Sequence, residues 1–231
     1  MAEEIRERLA RVLEQIARAA ERAGRSEKDI TLIAVSKTFD PVTVQQAVLA
    51  GAHDLGENRV QEALTKVSMV EGDVRWHLIG HLQSNKARQA VETFDVIHTI
   101  DSVQLTDRLD RLAGETGRRP TVMVQVDLAH EPTKSGADEG DLPAIIKALD
   151  AAHNLYFRGL MVIPPFFDSP EQTRPYFRRL RGILEDLNRQ RGAGQKLTEL
   201  SMGMSHDFEA AIEEGATMVR VGTAIFGSRE K

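Results

Sequence analysis

Lys37 closes an apolar run, Leu32-Ile33-Ala34-Val35-Ser36-Lys37-Thr38, and a glycine- and hydroxyl-bearing stretch, Val219-Arg220-Val221-Gly222-Thr223, comes near the other end of the chain. A lysine leaving a buried strand can lose its proton, because desolvation disfavours the ammonium form. The neutral amine can then capture an aldehyde as a Schiff base. The Gly222-Thr223 segment, like Ser201-Met202-Gly203, carries backbone and hydroxyl donors of the kind that hold a phosphate. An amine and a phosphate cradle together suggest pyridoxal phosphate as the ligand. A strand-end lysine taken alone is more often a solvated surface residue, so the reading depends on the rest of the chain.

Other residues admit two roles each. Gly203 and Gly222 are either plain turn glycines or positions where a missing Cβ lets backbone N–H groups approach an anion. Thr223 would add a hydroxyl, with the dipole of a short helix behind it. Arg220 in a strand pattern either closes an ion pair or meets a ligand. Asn58 and Ser84 read at least partly as helix N-caps. His77 and His81, four apart, invite a metal reading, but on a strand and turn their side chains do not converge as they would on a helix. No His-Glu-x-x-His arrangement accompanies them, so a metal site is not expected. Trp76 reads as core. Neither Ser36 nor Ser201 lies in a Gly-x-Ser-x-Gly elbow, which weakens serine catalysis.

These residues need a scaffold. Ile5, Leu9, Val12, Leu13 and Ile16 fall at helical spacing and stop at Gly24, so residues 3–23 are expected as an amphipathic helix. Eight apolar runs follow, at 32–35, 52–55, 76–79, 96–100, 122–126, 156–162, 197–202 and 218–221. Helical patterns near 41–50, 58–69, 84–92, 102–115, 139–150, 170–189 and 206–214 separate them. That alternation predicts βαβ units and a parallel sheet. Eight strands in 231 residues favour a closed (β/α)8 barrel over an open doubly wound sheet. No linker-like stretch divides the chain, so residues 1–231 are expected as a single domain. Pro164-Pro165 with Ser169-Pro170 predicts a long loop after the sixth strand.

Composition narrows the function classes. A formal charge of −5 argues against binding to nucleic acid or a membrane surface through net charge. Cysteine is absent, which removes disulfides and thiolate chemistry. The charged N-terminus, with Glu3, Glu4, Arg6, Glu7 and Arg8, resembles neither a secretory signal nor a membrane span, so a cytoplasmic protein is expected.

In a barrel, ligands gather at the C-terminal ends of the strands, and the motifs fall there. Read in order, they resemble the YggS/PROSC family of pyridoxal-phosphate-binding homeostasis proteins. The stretches that carry the resemblance are Ala34–Thr38, Leu55-Gly56-Glu57-Asn58-Arg59-Val60-Gln61-Glu62, and Trp76–Gly80 continuing to Leu82-Gln83-Ser84-Asn85-Lys86. Further on come Glu131 with Lys134-Ser135-Gly136, Gly159-Leu160-Met161, Leu200–Ser205 with Asp207, and Val219–Gly227. They span nearly the whole chain, and their ensemble is specific. The departure is His130, where a small residue is expected.

The resemblance implies a barrel like the N-terminal domain of alanine racemase, of the fold-type III kind, with an added N-terminal helix. It implies Lys37 as the internal aldimine lysine, Ser201, Gly203, Gly222 and Thr223 as the phosphate cradle, and Arg220 as partner of the pyridine nitrogen. Asn58 and Met202 would line the ring.

Pyridoxal phosphate drives amino-acid chemistry by drawing electrons into a protonated ring. An arginine at the ring nitrogen can only donate, which blunts that sink. Racemases similar in fold tolerate such an arginine, but bring a second acid/base residue from a further domain and a partner subunit. The sequence stops at Lys231, about ten residues past the eighth run, so no such domain is expected. A monomeric carrier of intracellular vitamin B6 without robust catalysis is therefore expected, one that passes cofactor to apo pyridoxal-phosphate enzymes. A slow racemase or related small enzyme is the alternative, and a cofactor-free Schiff-base aldolase a third. Lys86 and Lys134 leave open a second, looser lysine site.

Overall fold

The computed structural model describes residues 2–129 and 135–227. Among these residues eight strands run in register as a parallel, closed barrel in the order β1 to β8. They are β1 Thr31–Val35, β2 Asp54–Glu57, β3 Arg75–Leu78, β4 Val96–Ile100, β5 Thr121–Gln125, β6 Tyr156–Met161, β7 Glu199–Met204 and β8 Met218–Val221. The intervening helices are α2 Pro41–Leu49, α3 Val60–Val67, α4 Ala87–Thr93, α5 Val103–Thr116, α6 Leu142–Ala151, α7 Arg174–Arg189 and α8 Phe208–Glu213, with α9 Thr223–Phe226 after the last strand.

Local signals set most of these boundaries. The Asp40 carboxylate accepts from the Thr43 amide at 2.9 Å and Pro41 occupies the first turn, which starts α2. Ser102 caps α5, and Gly117 ends it in a left-handed conformation, φ 68°. The 21-residue helix α1, Ala2–Arg22, buries Ile5, Leu9, Val12, Ile16, Ala19 and Ala20 along one stripe.

That stripe has a structural job. Only one helical turn, α9, follows β8 among the described residues, so the outer ring needs another element beside β8 and β1. Helix α1 packs against α8, α9 and α2 and supplies it. Arg22 fixes its C-terminal end to α8 through Glu213 at 2.6 Å and Glu209 at 2.8 Å.

Two strands lie further along the chain than periodicity predicts. The run expected at 52–55 pairs as 54–57, and the run expected at 197–202 extends to Met204. In both cases glycine is a strand residue and not its terminator. A Cβ on Gly56 would sit 2.8 Å from Ile33, so the barrel wall needs glycine there. Gly203 has φ +92° and lies where the β7–β8 register shifts, a bulge that an apolar-run count cannot see.

Apolar residues divide between two spaces. The main core lies between strands and helices, while Ile33, Met123 and Met218 form a separate small cluster inside the barrel. The interior also holds buried polar groups, among them His77, His98, Ser201 and Arg220.

A candidate functional site at the barrel mouth

Strand ends bring the expected residues to one rim. Val35 pairs with Gly56, and Gly222 lies beneath Val35, where an added Cβ would be 3.3 Å from the Val35 carbonyl oxygen. Lys37, two residues past β1, therefore shares the C-terminal mouth with Asn58 past β2 and with Gly222 and Thr223 past β8. Lys37 and Asn58 are half-buried and Thr223 is exposed. Asn58 is held down by its backbone: Gly80 passes so close that a Cβ there would lie 2.2 Å from the Asn58 carbonyl oxygen.

The turn carrying Lys37 is fixed from behind. Thr38 has φ 71°, a left-handed conformation unusual for a β-branched residue, and its amide donates to Glu62 Oε1. Behind it lies Lys66, 2% exposed, whose ammonium donates to the Ser36 carbonyl, Glu57 Oε1 and Glu62 Oε1, each at 2.7 Å. The Ser36 hydroxyl donates to the same Glu57 oxygen at 2.6 Å. Burial pushes the Glu57 carboxyl above its ordinary range, against the pull of Lys66 and Ser36. Its other oxygen, Oε2, is buried without a partner.

On the neighbouring strand β8, paired with Ile33 of β1, lies Arg220, 4% exposed, donating to Ser201 Oγ at 2.7 Å and to the Val162 carbonyl at 2.9 Å. Burial lowers its pKa to about 10, with Asp207 acting against that, so it stays charged at neutral pH. No carboxylate among the described residues comes within ion-pair distance of it. A buried guanidinium satisfied only by neutral oxygens suits a ligand that brings an acceptor. Asp207 itself is buried, caps the Met204 amide at 2.6 Å and is pushed up by burial.

The β7 and β8 turns fit an anion. Gly203 packs against α8 so tightly that a Cβ would meet Ala211 Cβ at 2.6 Å and Phe208 Cα at 2.9 Å. The Gly222 amide donates to Ser205 Oγ at 3.1 Å. As first-turn residues of α9, Thr223 and Ala224 have amides without helical acceptors.

Several expectations need revision. Met202 is wholly buried in the core between strands and helices, because alternation on β7 turns it away from the interior that Ser201 faces. It does not line the mouth. Ser201 is fully buried, and its hydroxyl bonds to Arg220 and His98, so it also holds the arginine. Asn58 and Ser84 are not caps: the N-cap of α3 is Arg59, and that of the short 3-10 turn Ser84–Lys86 is Gln83. His77 points into the barrel while His81 is exposed beside Asp101 at 3.5 Å. His130, Glu131 and Lys134 lie outside the described residues.

Lys66 and His98 escaped the sequence reading, and Glu62 and Ser205 entered it only within the motifs, with no role given. A histidine within the apolar run Val96–Ile100 was the available signal for His98. Lys66 sits on the apolar side of α3, beside Ala63, which was the signal for it.

The family model for the alanine racemase N-terminal domain matches residues 8–230. A pyridoxal phosphate homeostasis protein of Aquifex aeolicus is 42% identical over 225 residues, 97% of this chain and 98% of the relative. The structure of PipY from Synechococcus elongatus with PLP bound superposes with a TM-score of 0.85 at 44% identity, covering 96% of this chain and all of PipY. Alanine racemase of Clostridium difficile matches with a TM-score of 0.74 at 15% identity, over 58% of its own length, a likeness of fold alone.

Proposed function

The chain belongs to the alanine racemase N-terminal domain family, and from that membership and the barrel mouth we propose that it binds pyridoxal 5'-phosphate on Lys37 and serves in homeostasis of that cofactor. The observation that carries the reading is the meeting at one mouth of a half-buried lysine, the glycine turns of β7 and β8, and below them a buried arginine with no carboxylate partner among the described residues. When bound, the cofactor supplies an aldehyde that condenses reversibly with a primary amine.

The chain's own residues divide the work. The Lys66–Glu57–Glu62 cluster holds Ser36 and Thr38, and so aims Lys37 across the mouth. Gly203, Gly222 and Thr223 furnish the phosphate end. Asn58 borders the ring, and Arg220 meets its nitrogen. Ser201 acts through Arg220, and Met202 supports β7 from the outer core.

An arginine at the ring nitrogen can donate a proton in a hydrogen bond but cannot accept one. It therefore disfavours a protonated ring and weakens the electron sink that amino-acid chemistry needs. That supports a carrier over a racemase, working in the cytoplasm as a monomer and delivering cofactor to apoenzymes. No helix among the described residues is long and apolar enough to cross a membrane. The cysteine-free composition suits a reducing compartment.

Equilibrium dialysis against pyridoxal phosphate, with wild type and Lys37→Ala, tests the binding. Saturable one-to-one uptake that is lost or greatly weakened in the variant is expected; equal uptake by both would remove Lys37 from the reading. Prolonged incubation of the loaded protein with a panel of L-amino acids, followed by chiral analysis, tests the carrier claim. Lys37-dependent turnover would make the protein an enzyme.

A further inference from the structure

A continuous line of hydrogen bonds crosses the barrel interior from its base to Arg220. At the base Asp54 accepts from Arg75 at 2.7 Å, and His77 Nε2 lies 2.8 Å from Asp54 Oδ1. His77 Nδ1 is 2.9 Å from His98 Nε2, and His98 Nδ1 is 3.0 Å from Ser201 Oγ. Arg220 completes the line at 2.7 Å from the same hydroxyl. His77, His98 and Ser201 are fully buried.

With both imidazoles neutral, the two ends dictate its direction. A guanidinium only donates and a carboxylate only accepts. Arg220 therefore gives a hydrogen to Ser201 Oγ, whose own hydrogen goes to His98 Nδ1. His98 Nε2–H then donates to His77 Nδ1, and His77 Nε2–H to Asp54. Each imidazole then carries its hydrogen on Nε2. Burial, reinforced by the proximity of His77 and Arg220, holds His98 well below the ordinary histidine range, which agrees with a neutral ring.

We infer that His98, oriented by His77 and Asp54, is a positioning residue: it turns a Ser201 lone pair toward Arg220 and so fixes the guanidinium at the floor of the mouth. Without His98 the hydroxyl hydrogen loses its acceptor, and the serine is free to rotate that hydrogen toward Arg220, where two donors would face each other. Arg220 would then keep only the Val162 carbonyl as a fixed acceptor. Its role toward a cofactor ring rests on the function proposed above; the direction of the hydrogen-bonded line does not.

The test has a ligand-free arm and a ligand arm. Histidine-ring 15N NMR of the apo protein at neutral pH is expected to show both His77 and His98 as neutral Nε2–H rings. A His98 that is Nδ1–H or doubly protonated overturns the proposed direction. In the ligand arm, His98→Phe is expected to raise the dissociation constant for pyridoxal phosphate about tenfold, the loss of one hydrogen bond's net worth. The ring-15N shift of the bound cofactor is expected to become pH-dependent. His98→Asn, which keeps an acceptor for Ser201, is expected to restore most of both.

Wild-type affinity and an unchanged ring shift in folded His98→Phe would sink the positioning role. Should that variant not fold, Ser201→Ala is read in its place, with the same increase expected and wild-type affinity as the contrary result. A wild-type protein that takes up no pyridoxal phosphate would overturn the cofactor reading and the positioning role with it, and the apo tautomers would still decide the line's direction.

Discussion

Replacing Lys66 with methionine keeps most of the unbranched side chain and removes three hydrogen bonds of 2.7 Å from a site that is almost solvent-free. Breaking a buried ion pair from one side costs about 3–5 kcal/mol, because the remaining charge is left uncompensated. Here the remaining group can escape by protonating. Burial already raises the Glu57 pKa, and loss of Lys66 raises it further. The folded variant then holds a proton that the unfolded chain releases near its ordinary value of about 4.3. Stability of the variant falls by about 1.4 kcal/mol per pH unit from there up to the folded pKa. Wild type loses stability in the same direction over a shorter window. The gap between them is therefore smallest near pH 5 and widens toward pH 8. Urea unfolding at pH 5, 6.5 and 8 reads this directly. Adding Glu57→Gln removes the titrating group and should flatten the pH dependence. A gap under about 1 kcal/mol that is constant across pH, or one that grows toward acid, would refute the buried-pair argument.

Other perturbations have equally definite outcomes. Gly203→Ala places a Cβ 2.6 Å from Ala211 on a residue with φ +92°, so a loss of about 2–4 kcal/mol is expected in denaturant titration. Arg174→Met removes the partner of Glu171, Glu213 and Glu214, whose carboxyls lie below their ordinary range in the folded protein. The stability those carboxylates contribute is present above their unfolded pKa and lost as pH falls through the folded values. The variant should therefore be weaker than wild type at pH 7 and approach it under acid, as followed by thermal unfolding. Arg22→Ala cuts the α1–α8 pairs, both partly exposed, and is expected to cost under about 1 kcal/mol, chiefly as faster amide exchange in α1.

The barrel was legible because its strands are buried on the helix-facing side and alternate with amphipathic helices, a pattern that survives in apolar runs such as Leu32–Val35 and Val96–Ile100. Lys37 and the Gly222-Thr223 turn were legible because strand exits combine chemistry with a predictable location. The residues of β7 were less legible, because the bulge at Gly203 and a one-residue change of face decide whether Ser201 or Met202 looks inward. The polar line through the barrel was hidden for a different reason. Asp54, His77, His98 and Ser201 come from four strands, with up to 103 residues between bonded partners, and only closure of the sheet makes them neighbours. Lys66 was hidden because a charged residue on a helix reads as solvated until its three acceptors are known.

Borohydride reduction of the protein loaded with pyridoxal phosphate, followed by peptide mass mapping, tests the central claim most directly. One pyridoxyl group per chain, on Lys37, is expected, with the visible absorbance bleached in parallel. A label spread over surface lysines, or fixed on another lysine while Lys37 stays unmodified, would contradict it.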